Sequence, residues 1–327
     1  MNVAVVVAGG LVETLQAAPL LGALRASGNG PVLLAAPPVA DRLGAAMVGA
    51  DQLTLVPALA SHAGLLGGVV TLRRRRLEAA LLCSSRPRDR LLVYGAGVAR
   101  RLGPGGGGLA HLLTTRVEDP PDANRGLVWL RLAGELGVAA GPEERGFDPG
   151  PVARRVAEGL LLGGGFEDGS PLVVLVPGLA ATVGGIAPDR LRWSPERFAH
   201  LANQLAQRYG ARVVLLGEED ERPLVEALLV DCSASVLDLC GQLTLIEMAA
   251  VAERCDLLVA CDSPLLHLAA AVGTPTVGLF GVTDGRRRGP HGTEHRTLQA
   301  LPAGSVPAPA QRIRVDDALA AIESQLA

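Results

Sequence analysis

The chain has 327 residues, roughly twice the length of a typical single domain, which predicts two domains. Hydrophobic residues make up 49% and charged residues 19%, a composition that forms cores and excludes global disorder. Aromatic residues are only 2% and the net charge is -3, so the chain has neither stacking platforms nor a basic footprint for nucleic acid. All 30 basic residues are arginine, which excludes Schiff-base and P-loop chemistry because both need a lysine amine.

Cysteine usage and the N-terminus indicate the compartment. The five cysteines form no Cys-x-x-Cys pair, which disfavours a disulfide framework or a zinc site and favours a reducing cytoplasm. The apolar stretch Val3–Val12 has no basic residue before it and is followed by Glu13, so we expect a buried strand and not a signal peptide. No run of 18 apolar residues is present, which predicts that no segment spans a membrane.

The first half of the chain alternates short apolar runs with helical patterns. Continuous apolar runs predict strands at Val3–Val7, Val32–Ala35, Gln52–Val56 and Leu91–Tyr94. Helical periodicity predicts helices at Val12–Ala26 and Ala123–Leu136. The sequence around 141–150 is rich in Gly, Pro and charge, so we place the end of the first domain at residue 150.

The second half restarts the same alternation and forms a predicted domain over 151–310. Strands are predicted at Leu172–Val176, Arg212–Leu216, Val236–Leu239, Asp256–Ala260 and Thr276–Phe280. Helices are predicted at Val152–Leu162, Pro195–Tyr209, Pro264–Val272 and Val315–Leu326, with Ser194 and Thr244 as N-caps. The alternation predicts two parallel sheets covered by helices, with a ligand at the carboxyl ends of the strands between the domains.

The strongest local signal is the segment Cys261–Ala271, which joins a strand to a helix. Either Asp262 or Ser263 is expected to cap that helix, whose first N–H groups attract phosphate, and His267 lies one turn further on. The alternative interpretation is a plain N-cap with a half-buried histidine. The loop Gly281–Asp284 follows the next strand, and two polar loops at adjacent strand ends predict one site.

These loops resemble glycosyltransferase family 9, the ADP-heptose:lipopolysaccharide heptosyltransferases. The family has an Asp-Ser/Thr-Gly-x-x-His loop, a strand and Gly-Pro-Thr-Asp; here the segments are Asp262–His267 and Gly281–Asp284. Further segments resembling the family's are Val176–Leu179, Trp193–Phe198, Leu215–Gly217 and Leu239–Leu245. The resemblance implies an α/β, GT-B fold: two Rossmann-like domains with parallel sheets facing a central cleft, and a C-terminal helix (311–327) that crosses back toward the first domain.

The resemblance also implies an activity. It is inverting, metal-independent transfer of a heptose-like sugar, without a cofactor, from a nucleotide-diphosphate donor such as ADP-heptose to a glycan, lipid-linked or small-molecule acceptor. Glu13 takes the place of the family's aspartate base. The residues implied to bind the donor are Asp262, Ser263, His267, Arg192, Arg190, Glu221, Leu243, Pro177, Gly178 and Thr283. The expected location is the cytoplasm, with peripheral contact at the inner membrane face as a further expectation.

Several residues depart from the family pattern. The glycine of the Asp-Ser/Thr-Gly loop is Pro264, which has no N–H, and the usual lysine two residues before the tryptophan is Leu191. Asn124 stands where many relatives have histidine. These departures leave open a non-catalytic relative that binds a nucleotide sugar or a protein, and a nucleotide-sugar epimerase is a third alternative.

Three other features are interpreted as structural. The run Arg73–Arg76 is expected to be a solvated helix face, with an anionic lipid surface as the alternative. His291 and His295 are not expected to bind a metal. The segment Gly105–Gly108 is expected to be a flexible loop and not a phosphate cradle.

Overall fold

A computed structural model describes residues 1–7, 9–35, 39, 42–43, 46–47, 53–55, 62–139, 145–165, 169–178, 186, 188–300 and 309–326. The chain divides into two compact units, Met1–Asp148 and Pro149–Ala327. The sequence placed this boundary at residue 150. Gln52, Val56 and Leu179, which end predicted segments, lie outside the described residues.

The first unit contains a six-stranded parallel sheet of order β3-β2-β1-β4-β5-β6. Its strands are β1 (Asn2–Val7), β2 (Gly30–Ala35), β3 (Leu53–Leu55), β4 (Ala79–Leu82), β5 (Arg100–Pro104) and β6 (Thr115–Val117). Its helices are α1 (Leu11–Gln16), α2 (Ala18–Ala26), α3 (His62–Arg74), α4 (Pro87–Gly95) and α5 (Arg125–Gly134). The central strand β1 is apolar and buried from Val3 onward, as the sequence predicted for a strand covered on both faces.

The prediction of a strand at Leu91–Tyr94 is wrong, because these residues lie in α4. Leu92 and Val93 are buried whereas Leu91 and Tyr94 are exposed, which is the one-sided burial of a surface helix. A four-residue apolar run cannot distinguish strand from helix by itself. Similarly, the predicted helix Val12–Ala26 is two helices, α1 and α2, joined at Ala17.

The Gly-rich loop after β5 is held by the buried guanidinium of Arg90 in α4. Arg90 is 0% exposed, and it donates to the carbonyl oxygens of Gly108 at 2.6 Å, Pro104 at 2.7 Å, Gly107 at 3.1 Å and Gly106. Hydrogen bonds from a charged donor are among the stronger ones in proteins. The expected flexibility of this loop stays a prediction, but one arginine gathers its carbonyl groups.

We expect Arg90→Met to destabilise the first unit by about 3 kcal/mol or more, because buried carbonyl oxygens would lose a charged donor. Arg88→Met, an exposed position on the same helix, should change stability by under about 0.5 kcal/mol. Urea unfolding of both variants measures the difference. Equal stabilities would show that the guanidinium does not hold this loop.

The second unit contains another six-stranded parallel sheet, of order β12-β11-β10-β7-β8-β9. Its strands are β7 (Leu172–Val176), β8 (Arg212–Leu215), β9 (Val236–Asp238), β10 (Leu257–Cys261), β11 (Thr276–Phe280) and β12 (His295–Gln299). Its helices are α6 (Gly150–Gly163), α7 (Pro188–Leu191), α8 (Pro195–Tyr209), α9 (Arg222–Asp231), α10 (Leu245–Glu253), α11 (Pro264–Val272), α12 (Gly285–Arg288) and α13 (Val315–Leu326). The strands and helices predicted for this half all occur, with shifts of at most two residues at their ends.

The C-terminal helix α13 packs into the core of the second unit. Its residues Ala318, Leu319 and Ile322 belong to the same buried cluster as Trp193. The Trp193 indole N–H donates to the carbonyl of Ile313, just before this helix, at 2.9 Å. The sequence treated 311–327 as a separate segment, whereas the structure groups it with the second unit. Its crossing toward the first domain stays a prediction.

The arginine run at the end of α3 is exposed at all four positions, Arg73–Arg76, as expected for a solvated face. Contact with an anionic lipid surface stays a prediction. In the part of the chain that the structure describes, none of the helices has the length and apolarity needed to cross a bilayer.

A buried histidine lies at the amino end of β12. The side chain of His295 is 3% exposed, and its Nδ1 lies 3.0 Å from Thr276 Oγ1 while its Nε2 lies 3.4 Å from Glu294 Oε1. Burial lowers the pKa of His295 to about 4, although the nearby charge of Glu294 acts in the opposite direction. The imidazole is therefore neutral in the folded protein near pH 7.

We expect the free energy of unfolding to fall as pH is lowered from about 6.5 toward 4. In this window the unfolded histidine takes up a proton that the folded one resists, so the loss should be on the order of 2–3 kcal/mol. Urea unfolding at pH 7, 6, 5 and 4.5 measures it. The slope should be shallower in His295→Asn, and an identical slope in that variant would exclude His295 as its source.

Candidate functional site

Ser263 and Asp262 take different roles at the strand-to-helix turn between β10 and α11. The Ser263 side chain accepts from the Leu266 N–H at 3.4 Å and is therefore the N-cap. Asp262 is fully buried and pairs with Arg288 of α12. Arg288 Nε lies 2.6 Å from Asp262 Oδ2, and Nη2 lies 3.3 Å from Oδ1, so the pair is bidentate. The structure thus decides between the two predicted caps in favour of serine.

The first turn of α11 is apolar and buried around the cap. Pro264 occupies the first helical position, where its missing N–H leaves the helix intact. His267 is 3% exposed, so it is more deeply buried than the half-buried side chain expected if the segment is only a cap.

The loop Gly281–Gly285 follows the neighbouring strand β11 and is held from β12. The Gln299 amide donates to Gly281 O at 2.6 Å, and its Oε1 accepts from Gly285 N–H at 2.9 Å. Thr283 is 8% exposed, and its hydroxyl has no hydrogen-bond partner among the described residues. A buried hydroxyl of this kind is one that a ligand or water usually satisfies.

The segment Arg190–Trp193 lies against the carboxyl ends of β10 and β11. Arg190 is exposed, and its carbonyl oxygen lies 2.8 Å from where a Cβ on Gly281 would be. The Trp193 N–H donates to Cys261 Sγ at 3.1 Å. Burial raises the pKa of the Cys261 thiol to about 12, while the charge of the half-buried Arg192 acts against that shift. Arg192 therefore lies close to the end of β10.

Leu191 explains one departure from the family pattern. It is 1% exposed and belongs to the core of the second unit, so the position where the family has a basic residue faces inward here. The cationic groups of this segment are the flanking arginines.

Gly178 and Glu221 meet at the ends of β7 and β8. Glu221 is 5% exposed, and its Oε2 accepts from the Glu218 N–H at 2.9 Å. A Cβ on Gly178 would overlap the Glu221 carboxylate, so any larger residue there requires that carboxylate to move. Pro177 is buried beside it. Leu243, half-buried, precedes the Thr244 cap of α10 in the loop after β9.

Ten residues predicted to bind the donor therefore follow adjacent strands of one sheet or contact their ends. Because the strands are parallel, these ends lie along one edge in the order β11, β10, β7, β8 and β9. Two residues of this edge were missed by the sequence interpretation, Arg288 and Gln299. The only local signal for Arg288 was the arginine run Arg286–Arg288, which begins one residue after Thr283-Asp284.

Glu13 lies in the first unit, in the first turn of α1 after β1. Its Oε2 accepts from the Gly10 N–H at 3.0 Å, and its Oε1 lies 3.9 Å from Arg125 Nη1. The Glu13 side chain is 33% exposed. Asn124 accepts from the Leu127 N–H at 3.4 Å and caps α5, which gives this departure from the family a structural role.

Among the residues that the structure describes, no group of three or more His, Cys, Asp or Glu side chains could hold a metal ion.

Three comparisons relate this chain to known proteins. Residues 169–308 match the family model described as glycosyltransferase family 9 (heptosyltransferase). Lipopolysaccharide heptosyltransferase 3 of Escherichia coli is 34% identical over 95 residues, which is 28% of this chain and 28% of that protein. The chain thus aligns with little more than a quarter of this curated relative.

Two solved structures resemble the chain over nearly its whole length. A family 9 glycosyl transferase from Veillonella parvula has a TM-score of 0.80 at 19% identity, covering 99% of this chain and 97% of that one. The E. coli heptosyltransferase WaaC with ADP-2-deoxy-2-fluoro heptose has a TM-score of 0.68 at 18% identity, covering 99% of both chains. At these identities the likeness shows the fold.

The two parallel sheets and their helices form an α/β fold of the GT-B type, as predicted. Residues 169–308 of this chain resemble glycosyltransferase family 9, and the aligned part of the curated relative belongs to a heptosyltransferase. The predicted cleft between the domains and the roles of the site residues stay predictions.

We expect Gly178→Ala to destabilise the second unit by about 1–3 kcal/mol, because its methyl group overlaps the buried Glu221 carboxylate. In a Glu221→Ala background the same change should cost under about 1 kcal/mol. Thermal or urea unfolding of the four proteins in this cycle measures the coupling. Equal costs in the two backgrounds would show that the overlap is relieved elsewhere.

Proposed function

We propose that the protein is an inverting, metal-independent glycosyltransferase that uses a nucleotide-diphosphate sugar. The observation that supports this best is the continuous row of predicted donor residues along one edge of the second sheet, within a family 9 domain. Ligands of open parallel sheets bind at this edge.

The chemistry of the side chains along this edge assigns a place to each part of the donor: nucleobase, ribose and diphosphate. Leu243 offers apolar contact for the nucleobase, and the buried carboxylate of Glu221 can accept hydrogen bonds from ribose hydroxyls. The diphosphate lies at the Ser263 cap, where Arg192 and Arg190 supply positive charge. Their guanidinium groups offset the charge that develops on the departing diphosphate.

Glu13 is the proposed base. Its carboxylate takes the proton of the acceptor hydroxyl while the hydroxyl oxygen attacks the anomeric carbon from the face opposite the diphosphate. The bond from that carbon to the diphosphate breaks, and the configuration inverts. Glu13 already accepts the Gly10 N–H, so one oxygen is oriented by the backbone while the side chain remains partly exposed.

The similarity to heptosyltransferases, one of them solved with an ADP-heptose analogue, supports a heptose-like sugar on ADP as the donor. The acceptor is a glycan, a lipid-linked glycan or a small molecule.

Specific observations favour a second candidate, a non-catalytic protein that binds a nucleotide sugar. Leu191 is buried in the core, Pro264 removes an N–H from the phosphate turn, and the Glu13 carboxylate is partly used as a helix cap. An epimerase would isomerise the donor instead.

A screen of nucleotide sugars by thermal shift, followed by product analysis of the binders, separates these functions. Binding should raise the melting temperature by mass action. Transfer to an acceptor supports the proposal, binding without turnover supports the second candidate, and isomerised donor supports the epimerase. No stabilisation by any nucleotide sugar would contradict all three.

We expect Glu13→Gln to lower kcat by roughly 10²–10⁴-fold with donor affinity preserved, because a general base is lost. Glu13→Asp should keep a measurable rate. As a cap alone, the carboxylate would contribute under about 1 kcal/mol of stability, and its loss would leave turnover intact. Steady-state kinetics with isothermal calorimetry distinguishes these outcomes, and a fully active Glu13→Gln enzyme would remove Glu13 as the base.

A further inference from the structure

The start of α11 presents a negative charge to any anion that approaches it. Asp262 is 1% exposed and directly precedes the Ser263 cap. Pro264 has no N–H to donate, and the Leu266 N–H already donates to Ser263. A phosphate at this turn would therefore meet fewer donors than a helix start usually offers, together with a buried carboxylate.

Arg288 neutralises that carboxylate from the neighbouring loop. Its guanidinium is bidentate on Asp262, and its side chain is 17% exposed. The arginine sits at the end of α12, after β11, so the pair also ties together the loops of two adjacent strands. Arginine remains charged at all ordinary pH values, which makes the neutralisation permanent.

The Asp262–Arg288 pair matters for diphosphate binding because, among the described residues, few other charges near this turn could compensate for the Asp262 carboxylate. Leu191 is apolar and buried, so the segment before Trp193 adds charge only through its flanking arginines. Without Arg288, the Asp262 carboxylate would repel a bound diphosphate. A unit charge about 6 Å from a phosphate, at an effective dielectric constant of about 20, weakens binding roughly 100-fold.

We propose that Arg288 makes this edge of the sheet able to bind a nucleoside diphosphate by cancelling the buried charge of Asp262. Arg288 is thus a positioning residue that acts through Asp262, and not itself a phosphate ligand. On this inference Asp262, which the family resemblance implied to bind the donor, does not contact the diphosphate and affects its binding only through charge. The inference rests on the proposed donor site and adds to it the residue on which its charge balance depends.

The test is a double-mutant cycle on ADP affinity, measured by isothermal calorimetry at low ionic strength. Arg288→Gln should weaken ADP binding by at least about 10-fold, because it leaves the carboxylate uncompensated. Asp262→Asn should bind ADP as tightly as wild type or more tightly, and the double variant should return to within about threefold of wild type. Arg286→Gln is the matched control on the same helix, since Arg286 is 79% exposed, and it should stay within about threefold.

Recovery of ADP affinity in the double variant is a result that a merely structural role of Arg288 would not produce. The melting temperature of each variant without ligand records whether it is folded. If Arg288→Gln does not fold, Asp262→Asn and the double variant still decide the matter, because the double variant should match wild type and Asp262→Asn should bind ADP no more weakly than either. A double variant that binds ADP 10-fold more weakly than wild type would make Arg288 a direct ligand and overturn the inference. Unchanged affinity in a folded Arg288→Gln would overturn it while leaving the proposed function intact, whereas a wild-type protein that does not bind ADP would overturn both.

Discussion

Parallel pairing of β10 with β7 and β11 is the constraint on which the second unit depends. Ala260 is in register with Val176 on one side and Gly278 on the other, so residues a fixed distance further along each strand reach the same edge. This register brings Gly178, Asp262 and the Gly281 loop together although they are far apart in sequence. All five residues of β10 are buried. Polar side chains at the carboxyl edge of the sheet can therefore be substituted without altering the packing of this strand.

The absence of lysine gives arginine a wide structural role. Arg90 gathers the carbonyl groups of a glycine-rich loop, and Arg222 joins Asp238 to the carbonyl of Cys240 below the predicted nucleobase end. Arg154 makes a bidentate pair with Glu253 between α6 and α10. A forked guanidinium can serve two acceptors at once, which an ammonium group does less well. Much of the positive charge of the chain therefore stabilises loops and helix contacts.

Local signals account for the success of the sequence interpretation in the second half. The helices Pro195–Tyr209 and Pro264–Val272 begin after a serine that is followed by proline, and their bounds are confirmed. The Ser263 side chain caps its helix, whereas the Ser194 side chain makes no capping hydrogen bond. In the first half, Ala79–Leu82 and Arg100–Pro104 were not recognised as strands, because short runs of alanine or arginine become strands only through their pairing partners. The same limit applies to the site. Residue types after each strand were predictable, whereas the pair of Asp262 with Arg288 depends on the distance between two loops, which no local pattern encodes.

The thiol of Cys261 has an experimental consequence. It lies directly before Asp262, is 0% exposed and accepts the Trp193 N–H, and burial raises its pKa to about 12. A thiol in this state reacts with alkylating reagents only when the structure around it opens. Its modification rate, followed by mass spectrometry of the peptide that contains it, therefore reports how often the carboxyl end of β10 is exposed. The protein thus carries its own probe of local opening at the end of β10, next to the proposed donor site.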